Sequence, residues 1–282
     1  AAMLCALDIP YLALNPGASY RGLHDSIVNY LGNERPQMLL CLHEEAAVAI
    51  AHGYAKASGR MMGVRADITP QVARIDAHLL NSKGVTRLCY CGSVLHTRPL
   101  SPGATREPMQ IGAEMYGESG VTADVEILEL LCQALELAGV RNARVDIGHV
   151  AVFRAIAHAA GAPSELEAEL FEALQKKDIP ALKELTKELP AKTRDALLLL
   201  PSLYGDAKIL DEAEKKLPKI AGLTQALGTL RRLAKACRFP ASFDLAELRG
   251  YHYHSGVVFD AYCDGVSGAV ARGGRYDEVG KA

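Results

Sequence analysis

Tryptophan is absent from this chain of 282 residues, and aromatic side chains make up only 6% of it. Its seven cysteines, at positions 5, 41, 89, 91, 132, 237 and 263, are odd in number, and no pair has the Cys-x-x-Cys spacing. This argues against a disulfide framework and a thiolate zinc site, so we predict a reducing, cytoplasmic location. No apolar run approaches the roughly 20 residues that a membrane helix needs, so no membrane contact is expected.

A strong charge of either sign is also lacking. The chain has 31 basic and 33 acidic residues, which gives a formal net charge of −2. Without a basic excess, electrostatics give no reason to expect a nucleic acid as the partner. What the chain does have is apolar sequence, 49% of all residues, which is enough for one large or two ordinary globular domains.

Residues 1–60 alternate between helical and strand patterns, which is typical of an α/β unit. A short strand over 11–14 leads into the turn Asn15-Pro-Gly17, and small apolar residues at helical spacing predict a helix over 43–57. We predict a partial α/β segment in this part of the chain.

The pattern changes after residue 60 and predicts an α+β domain over 61–282. Thr69 is a suitable helix N-cap before Pro70, and Val72, Ile75 and Leu79 are expected on the buried face of that helix. Strands over 87–95 and 109–116 are predicted to form a hairpin with a long loop. A helix over 124–138, a strand over 143–147 and a helix over 150–160 follow.

The pattern from about residue 163 to residue 237 predicts a helical insertion. Leucines at 166, 170 and 174, and at 223, 227, 230 and 233, form two apolar stripes. Strand patterns return over 241–248, and then over 257–262 and 266–271 on either side of Asp264-Gly265, which favours a tight two-strand turn. We therefore predict an antiparallel sheet with flanking helices, interrupted by the helical block.

Two short stretches carry the best indication of function, Arg249-Gly-Tyr-His-Tyr-His-Ser-Gly256 and Gly273-Gly-Arg-Tyr-Asp277. Arginine offers a planar fork for a carboxylate, tyrosine and histidine offer polar edges on flat rings, and glycine allows close backbone approach. Together they predict a pocket for a small zwitterion. Because the histidines have no obvious third ligand, we expect no metal there.

These stretches follow two others, Arg87-Leu-Cys-Tyr-Cys-Gly92 and Arg106-Glu-Pro-Met-Gln-Ile-Gly-Ala-Glu114. The ordered set resembles the class II aminoacyl-tRNA synthetase core and, within it, the histidyl-tRNA synthetase-like family. The earlier pair is similar to the motif 2 hairpin of that family, and the later pair to its two histidine-specific signatures. The resemblance implies a class II α+β fold over 61–282.

A closer resemblance is to the family of ATP phosphoribosyltransferase regulatory subunits, which have lost aminoacylation. It rests on Val64-Arg-Ala-Asp-Ile-Thr-Pro-Gln-Val-Ala-Arg74, Gly92-Ser-Val-Leu-His96, Gln110-Ile-Gly-Ala-Glu-Met-Tyr-Gly117 and the helical insertion. Where a synthetase carries an arginine for the α-phosphate and an acid two residues later, this chain has His96 and Arg98. Histidine cannot hold a phosphate with the permanently charged bidentate fork of arginine, and Arg98 puts a positive charge where the synthetase has a negative one. We therefore expect adenylate formation to be badly impaired.

The resemblance also implies a site for histidine as an effector. Asp67 and Thr69 would meet its ammonium group, and Gln110 would bridge ammonium and carboxylate. Glu114 would accept a hydrogen bond from the imidazole, and Arg249 would face the carboxylate. The full predicted set is Asp67, Thr69, Gln110, Glu114, Arg249, Tyr253, His254 and Arg275.

This set departs from the synthetase pattern at two positions and has structural alternatives. Tyr253 matches the first of two paired tyrosines, but the second is His254 here and the acid before them is His252. These departures leave the orientation of an imidazole ring open. Asp67, Arg249 and Arg275 would also satisfy one another in a partly buried salt-bridge network without a ligand. Separately, the helix-face histidines at 149 and 158 are expected to be solvated or capping rather than ligating.

Residues 1–60 show a different resemblance, to the N-terminal domain of thiamine diphosphate-dependent decarboxylases and acetolactate synthase-like enzymes. It rests on Asn15-Pro-Gly17, Leu42-His-Glu-Glu45 and Ala51-His-Gly-Tyr-Ala55, and it implies that Glu44 would touch the aminopyrimidine of that cofactor. The Gly-Asp-Gly and later asparagine that hold metal and diphosphate in that family are lacking. We therefore expect no bound cofactor, a helix-surface role for Glu44, and a fusion or chimera that joins at Ser58-Gly-Arg-Met-Met-Gly-Val64.

We predict a noncatalytic regulatory subunit of ATP phosphoribosyltransferase, truncated at its C-terminus, that serves the first step of histidine biosynthesis and its feedback inhibition by histidine. The implied partner is the short-form catalytic subunit, around a homodimeric core within a hetero-oligomer. Arg98 and Arg106, at the hairpin loop, would contact an anion or an acidic partner surface, or lie in a solvated loop. The alternatives are a histidyl-tRNA synthetase-like aminoacylating enzyme and a fragment of a thiamine diphosphate-dependent enzyme.

Overall fold

Residues 11–14, 28–29, 31–34, 37–40, 66–96, 99, 104–248 and 254–277 are those that the computed structural model describes. The chain divides into two compact units, residues 1–65 and 66–282. In the first unit, strand β1 (Tyr11–Leu14) pairs in parallel with β2 (Gln37–Leu40). The short strand expected before the Asn15-Pro-Gly17 turn is therefore confirmed, whereas the helix predicted over 43–57 lies outside the described residues.

The second unit begins with a helix that covers a β-hairpin. Helix α1 (Thr69–Ile75) runs into a π-helical turn (Asp76–Leu80). Strands β3 (Thr86–Ser93) and β4 (Met109–Tyr116) then pair antiparallel in an unbroken register from Thr86 opposite Tyr116 to Ser93 opposite Met109. The predicted hairpin is confirmed.

The buried face predicted for α1 is only partly right. Val72 is buried, but Ile75 is 39% exposed and Leu79 is 56% exposed. After Ile75 the chain widens into the π-helical turn, where the Asn81 N–H donates to the Asp76 carbonyl at 2.8 Å. A π-helical turn places successive side chains at a smaller angle than an α-helix does, so the later positions of the predicted stripe rotate away from the core.

A five-stranded sheet lies beyond the hairpin. After the hairpin the chain forms helix α2 (Val121–Leu137), strand β5 (Arg144–His149) and helix α3 (Ala151–Ala159). The next elements are α4 (Ser164–Gln175), α5 (Ile179–Leu185), α6 (Ala191–Leu199), a 3₁₀ turn (Leu200–Ser202), β6 (Tyr204–Gly205), α7 (Lys208–Lys216) and α8 (Ala221–Ala236). Strands β7 (Ala241–Asp244), β8 (Val257–Tyr262) and β9 (Ala271–Gly274) complete the sheet, whose order is β6-β7-β5-β8-β9.

The sheet is antiparallel as predicted except at one pair of strands. Strands β5 and β7 are parallel, while the other neighbours are antiparallel. Between β5 and β7 the chain passes through α3 and all the helices over 164–236, and such a crossover returns the chain to the same end of the sheet. The helical block is thus the connection that makes this pair parallel.

The turn at Asp264-Gly265 exists, but the predicted strand over 266–271 does not. Gly265 has φ +81, as a tight turn requires, yet Val266 is 53% exposed and pairing resumes only where Ala271 lies opposite Ala261. The loop therefore spans residues 263–270, and β9 includes the adjacent glycines Gly273 and Gly274. Since glycine is poor in strands by propensity, tertiary packing selects this strand.

One hydrophobic core joins the sheet to the helices of the insertion. The predicted leucine stripes are confirmed, since Leu170 and Leu174 of α4 and all four leucines predicted for α8 are buried. They pack in the same cluster as residues of β5, β7 and β8. No helix in the described parts of the chain combines the length and apolar character needed to cross a bilayer.

Candidate functional site

The inner face of the hairpin gathers polar groups around the start of α1. Alternation along β3 and β4 puts Tyr90, Gln110 and Glu114 on the face that α1 covers, because residues two apart share one side of a strand. Ile68 and Val72 pack against Leu88 and Tyr90 of that face in a small apolar cluster. The fold thereby brings together residues 67–69 and 110–114, which are more than forty positions apart.

Gln110 ties strand β4 to the first residues of α1. Its Nε2 donates to Asp67 Oδ1 at 2.7 Å, and its Oε1 accepts from the Ile68 N–H at 3.0 Å. Asp67 Oδ1 also accepts from the Thr69 N–H at 3.1 Å. The N-cap residue is thus Ile68 rather than the predicted Thr69, the Asp67 carboxylate accepts from the first helical N–H, and the Thr69 hydroxyl is left for another contact.

That contact is Glu114. Thr69 Oγ1 donates to Glu114 Oε1 at 3.1 Å and lies 3.2 Å from the Tyr90 hydroxyl, which itself lies 3.5 Å from the same carboxylate oxygen. Burial, opposed by the Thr69 hydrogen bond and reinforced by the charge of Asp67, raises the pKa of Glu114 from 4.5 to about 7. Burial also raises the pKa of Tyr90. A carboxylate of this kind changes charge near neutral pH and accepts or donates accordingly.

Tyr90 is a site residue that the sequence analysis missed. It stands opposite Gly112 in the register, and a Cβ at position 112 would overlap its ring and hydroxyl. The glycine thus lets the ring lie across β4 and bring its hydroxyl to Thr69 and Glu114. The signal that could have identified Tyr90 is a tyrosine opposite a glycine in the predicted hairpin.

Arg275 belongs to a second, structural group. Its guanidinium donates to Asp124 Oδ1 at 2.8 Å, to the Gly120 carbonyl at 2.8 Å and to Asp277 Oδ1 at 3.1 Å, and its side chain is 14% exposed. The charge of Arg275 offsets only part of the burial of Asp124, whose pKa remains raised. The salt-bridge alternative therefore describes Arg275, with Asp124 rather than Asp67 as the partner.

Two histidines lie near this second group. Burial lowers the pKa of His254, which hydrogen-bonds to the backbone of Arg275. Burial and the charge of Arg275 lower the pKa of His149 to about 4, so that its neutral Nδ1 accepts from the Ala151 N–H at 3.2 Å at the start of α3. The capping role expected for His149 is confirmed, and His158 is exposed, as expected for a solvated side chain.

The remaining predicted residues are Arg249, Tyr253, Arg98, Glu44 and Arg106. Arg249, Tyr253, Arg98 and Glu44 lie outside the described residues, and their roles stay predictions. Arg106 is exposed beside the hairpin loop, and its carbonyl accepts from the His96 N–H at 2.8 Å.

Comparison with known proteins places this arrangement in a family. A family model described as histidyl-tRNA synthetase matches residues 47–282. The chain belongs to the histidyl-tRNA synthetase family. The hairpin, the site on its inner face and the five-stranded sheet all lie within the matched range.

Curated members of this family share high identity with the chain. The ATP phosphoribosyltransferase regulatory subunit of Azoarcus sp. (strain BH72) is 60% identical over 226 residues, which cover 80% of this chain and 59% of that protein. That of Nitrosospira multiformis (strain ATCC 25196 / NCIMB 11849 / C 71) is 57% identical over 232 residues, with the same shares. The chain thus spans less than two thirds of the length of these relatives.

Solved structures of the family support the fold. An ATP phosphoribosyltransferase regulatory subunit/histidyl-tRNA synthetase from Bacillus halodurans C aligns with a TM-score of 0.66 and 28% identity, covering 77% of this chain and 58% of that one. An ATP phosphoribosyl transferase (HisG:HisZ) complex from Thermotoga maritima aligns with a TM-score of 0.59 over 83% of this chain and 93% of that chain, at 15% identity, which is a likeness of fold alone. The predicted class II synthetase-like α+β fold is confirmed.

Proposed function

We propose that this chain acts as a noncatalytic regulatory subunit of ATP phosphoribosyltransferase in the first step of histidine biosynthesis. The observation that carries the proposal is the 60% identity to a curated protein of that name. The chemistry of the hairpin agrees, because His96 and Arg98 occupy the positions where a synthetase needs an arginine fork and an acid for the adenylate. The partner would be the short-form catalytic subunit, within a cytoplasmic hetero-oligomer.

We further propose that the inner face of the hairpin holds the imidazole and ammonium groups of histidine. Support comes from Asp67 and Glu114, which supply carboxylates, and from Thr69 and Gln110, which fix where those carboxylates point. A buried carboxylate beside a ring N–H is a strong and directional acceptor. Arg249, Tyr253 and His254 complete the proposed set, whereas the protein partners of Arg275 give that side chain a structural role.

The test is ATP phosphoribosyltransferase activity of a short-form catalytic subunit with and without this chain, followed by histidine titration. Activation that histidine reverses supports the proposal, and the Glu114→Gln variant should activate equally but respond less to histidine. The matched control is Glu169→Gln, which alters an exposed acid on α4. Activity that is unchanged by the chain would contradict the regulatory role.

The family name favours a second candidate, a histidyl-tRNA synthetase-like enzyme. Histidine-dependent exchange between ATP and pyrophosphate distinguishes the two, because only an enzyme that forms the adenylate catalyses it. We expect no exchange above background. Exchange that disappears in Glu114→Gln would instead support the synthetase.

A homodimeric core is also proposed, on the outward face of the hairpin. Met109 is 69% exposed and Ile111 is 75% exposed there, next to the exposed Cys89 and Cys91, and apolar neighbours of this kind mark interfaces. Sedimentation velocity should give a dimer that Ile111→Lys dissociates. The control Leu137→Lys, at a position 90% exposed on α2, should leave it intact.

A further inference from the structure

The polar cluster on the inner face of the hairpin contains one side chain with no assigned role, Tyr90. Its ring crosses β4 at Gly112, where an added Cβ would overlap the ring. The ring is half-buried beneath α1, in contact with Ile68 and Val72. Packing on both faces of the ring, rather than the hydrogen bonds of the hydroxyl, therefore fixes where the hydroxyl lies.

The hydrogen bonds around Tyr90 run in one direction. The Thr69 hydroxyl has a single proton, and its contact with Glu114 Oε1 uses that proton when Glu114 is ionised. At 3.2 Å from Thr69 Oγ1, the Tyr90 hydroxyl must then be the donor of that pair. The Tyr90 hydroxyl also donates to Glu114 Oε1 at 3.5 Å, so its proton is shared between two oxygens and the order of donors runs from Tyr90 to both Thr69 and Glu114.

This order determines which oxygen of Glu114 meets a ligand. Both hydrogen bonds from the cluster end on Oε1. The other oxygen, Oε2, takes no part in them and keeps its acceptor capacity for an incoming N–H. A carboxylate whose first oxygen is fixed by two donors presents its second oxygen in a defined direction.

We infer that Tyr90, seated over Gly112, is a positioning residue that orients Thr69 and Glu114 to accept a ring N–H of the bound ligand. The inference rests on the proposed function for the identity of the ligand, histidine. Its physical content is independent of the ligand, because the Tyr90, Thr69 and Glu114 contacts are present in the protein alone.

The first readout is therefore the ionisation of Glu114 in the unliganded chain. The titratable groups that face this carboxyl are Asp67, ahead of α1, and the neutral Tyr90 phenol on β3. The Thr69 and Tyr90 hydrogen bonds both favour the ionised form of Glu114. Removal of the Tyr90 hydroxyl withdraws one of those bonds, so the pKa of Glu114 should rise further. A residue that only filled space would not produce this change, since phenylalanine keeps the ring.

The experiment is a pH titration of the Glu114 side-chain carboxyl carbon by NMR on the ¹³C-labelled full chain, assigned by its loss in Glu114→Gln. We compare the unmodified chain, Tyr90→Phe and the control Tyr204→Phe, which removes a hydroxyl from a side chain 65% exposed on β6. The pKa of Glu114 should be higher in Tyr90→Phe and unchanged in Tyr204→Phe. An unchanged value in Tyr90→Phe would overturn the inference.

The second readout is histidine affinity by calorimetry at pH 8, where Glu114 is mostly ionised. Tyr90→Phe should bind histidine about five-fold more weakly, as the loss of one hydrogen bond in a network predicts. Gly112→Ala, which displaces the ring, should weaken binding at least as much; if it does not fold, Tyr90→Phe alone decides. Unchanged affinity in a folded Tyr90→Phe chain would contradict the positioning role. An altered Glu114 pKa in a chain that binds no histidine would retain the positioning role and reject histidine as the ligand.

Discussion

At the scale of single residues, the structure brings four predicted residues together, whereas the protein partners of other residues were not predictable. Asp67, Thr69, Gln110 and Glu114 were predicted together because a family resemblance supplied a pattern that spacing alone does not contain. Arg275 was predicted as a ligand residue from the resemblance, with a salt-bridge network as the alternative. Its main partner, Asp124, was not predicted, because it lies 151 positions earlier in the chain. Contacts over such separations depend on the tertiary fold and leave no local signal.

The buried carboxyl of Glu114 predicts a pH-dependent stability. Its pKa of about 7 exceeds the ordinary value of 4.5, so the folded chain binds this proton more tightly than the unfolded chain does. The contribution is fully favourable below about 4.5 and is lost as pH rises towards about 7. In Glu114→Gln, the fall in the free energy of unfolding between pH 5 and 8 should shrink by about 1–2 kcal/mol, after allowance for solvent screening.

Urea denaturation at a series of pH values measures this change. Glu169→Gln, an exposed acid on α4, is the matched control and should keep the pH dependence of the unmodified chain. If Glu114→Gln followed the same curve as that control, the carboxyl would not be buried as described.

Arg272 within strand β9 and Arg275 directly after it form a matched pair. The side chain of Arg275 is 14% exposed and its Nε lies 2.8 Å from Asp124 Oδ1. The side chain of Arg272 is 64% exposed and its Nε lies 3.7 Å from Asp260 Oδ1. Loss of Arg275 leaves the Asp124 charge buried without its partner, so Arg275→Ala should lower the free energy of unfolding by about 3 kcal/mol. Arg272→Ala should change it by less than about 1 kcal/mol. Equal effects in urea denaturation would argue against a structural role for the Asp124 pair.

At the scale of secondary-structure elements, long periodic segments were predictable and irregular ones were not. The leucine stripes of α4 and α8 match an ideal helical period, and both helices are present. The stripe of α1 is only partly buried, and its last member, Leu79, lies in the π-helical turn at Asp76–Leu80, which changes the period. The last strand was predicted over 266–271, but β9 spans Ala271–Gly274. The position of β9 depends on close packing at its glycines, which strand propensity does not describe.

Gly273 makes that packing testable. A Cβ at this position would overlap the ring of Phe259, which is 3% exposed and cannot move into solvent. Gly273→Ala should therefore destabilise the protein by about 1–3 kcal/mol through overpacking, with faster amide exchange in β8 and β9. Gly268→Ala is the control, since a Cβ there meets nothing within 4 Å. Similar exchange in the two variants would rule out this role for Gly273.

At the scale of the whole molecule, the composition favoured a globular protein and the order of helix and strand patterns an α+β fold, but the way its parts share a core needed the structure. The sequence marks the region over 163–237 as an insertion, which would be compatible with a separate helical lobe. Instead its buried leucines lie in one cluster with Val145 and Ile147 of β5 and Phe243 of β7. The crossover that makes β5 and β7 parallel also packs the insertion onto their sheet.

A shared core predicts that the insertion and the sheet unfold together. Leu230 of α8 is fully buried, and Leu230→Ala should lower the free energy of unfolding by about 3 kcal/mol through loss of contact and a residual cavity. Amide exchange by mass spectrometry should then accelerate equally in α4, α8 and β5, because these elements belong to one cooperative unit. Leu137→Ala, at a position 90% exposed on α2, should leave exchange unchanged. Faster exchange confined to the helices would mean that the insertion opens independently. The amides of β5 and β7 would then stay protected from exchange after the amides of the helices had lost their protection.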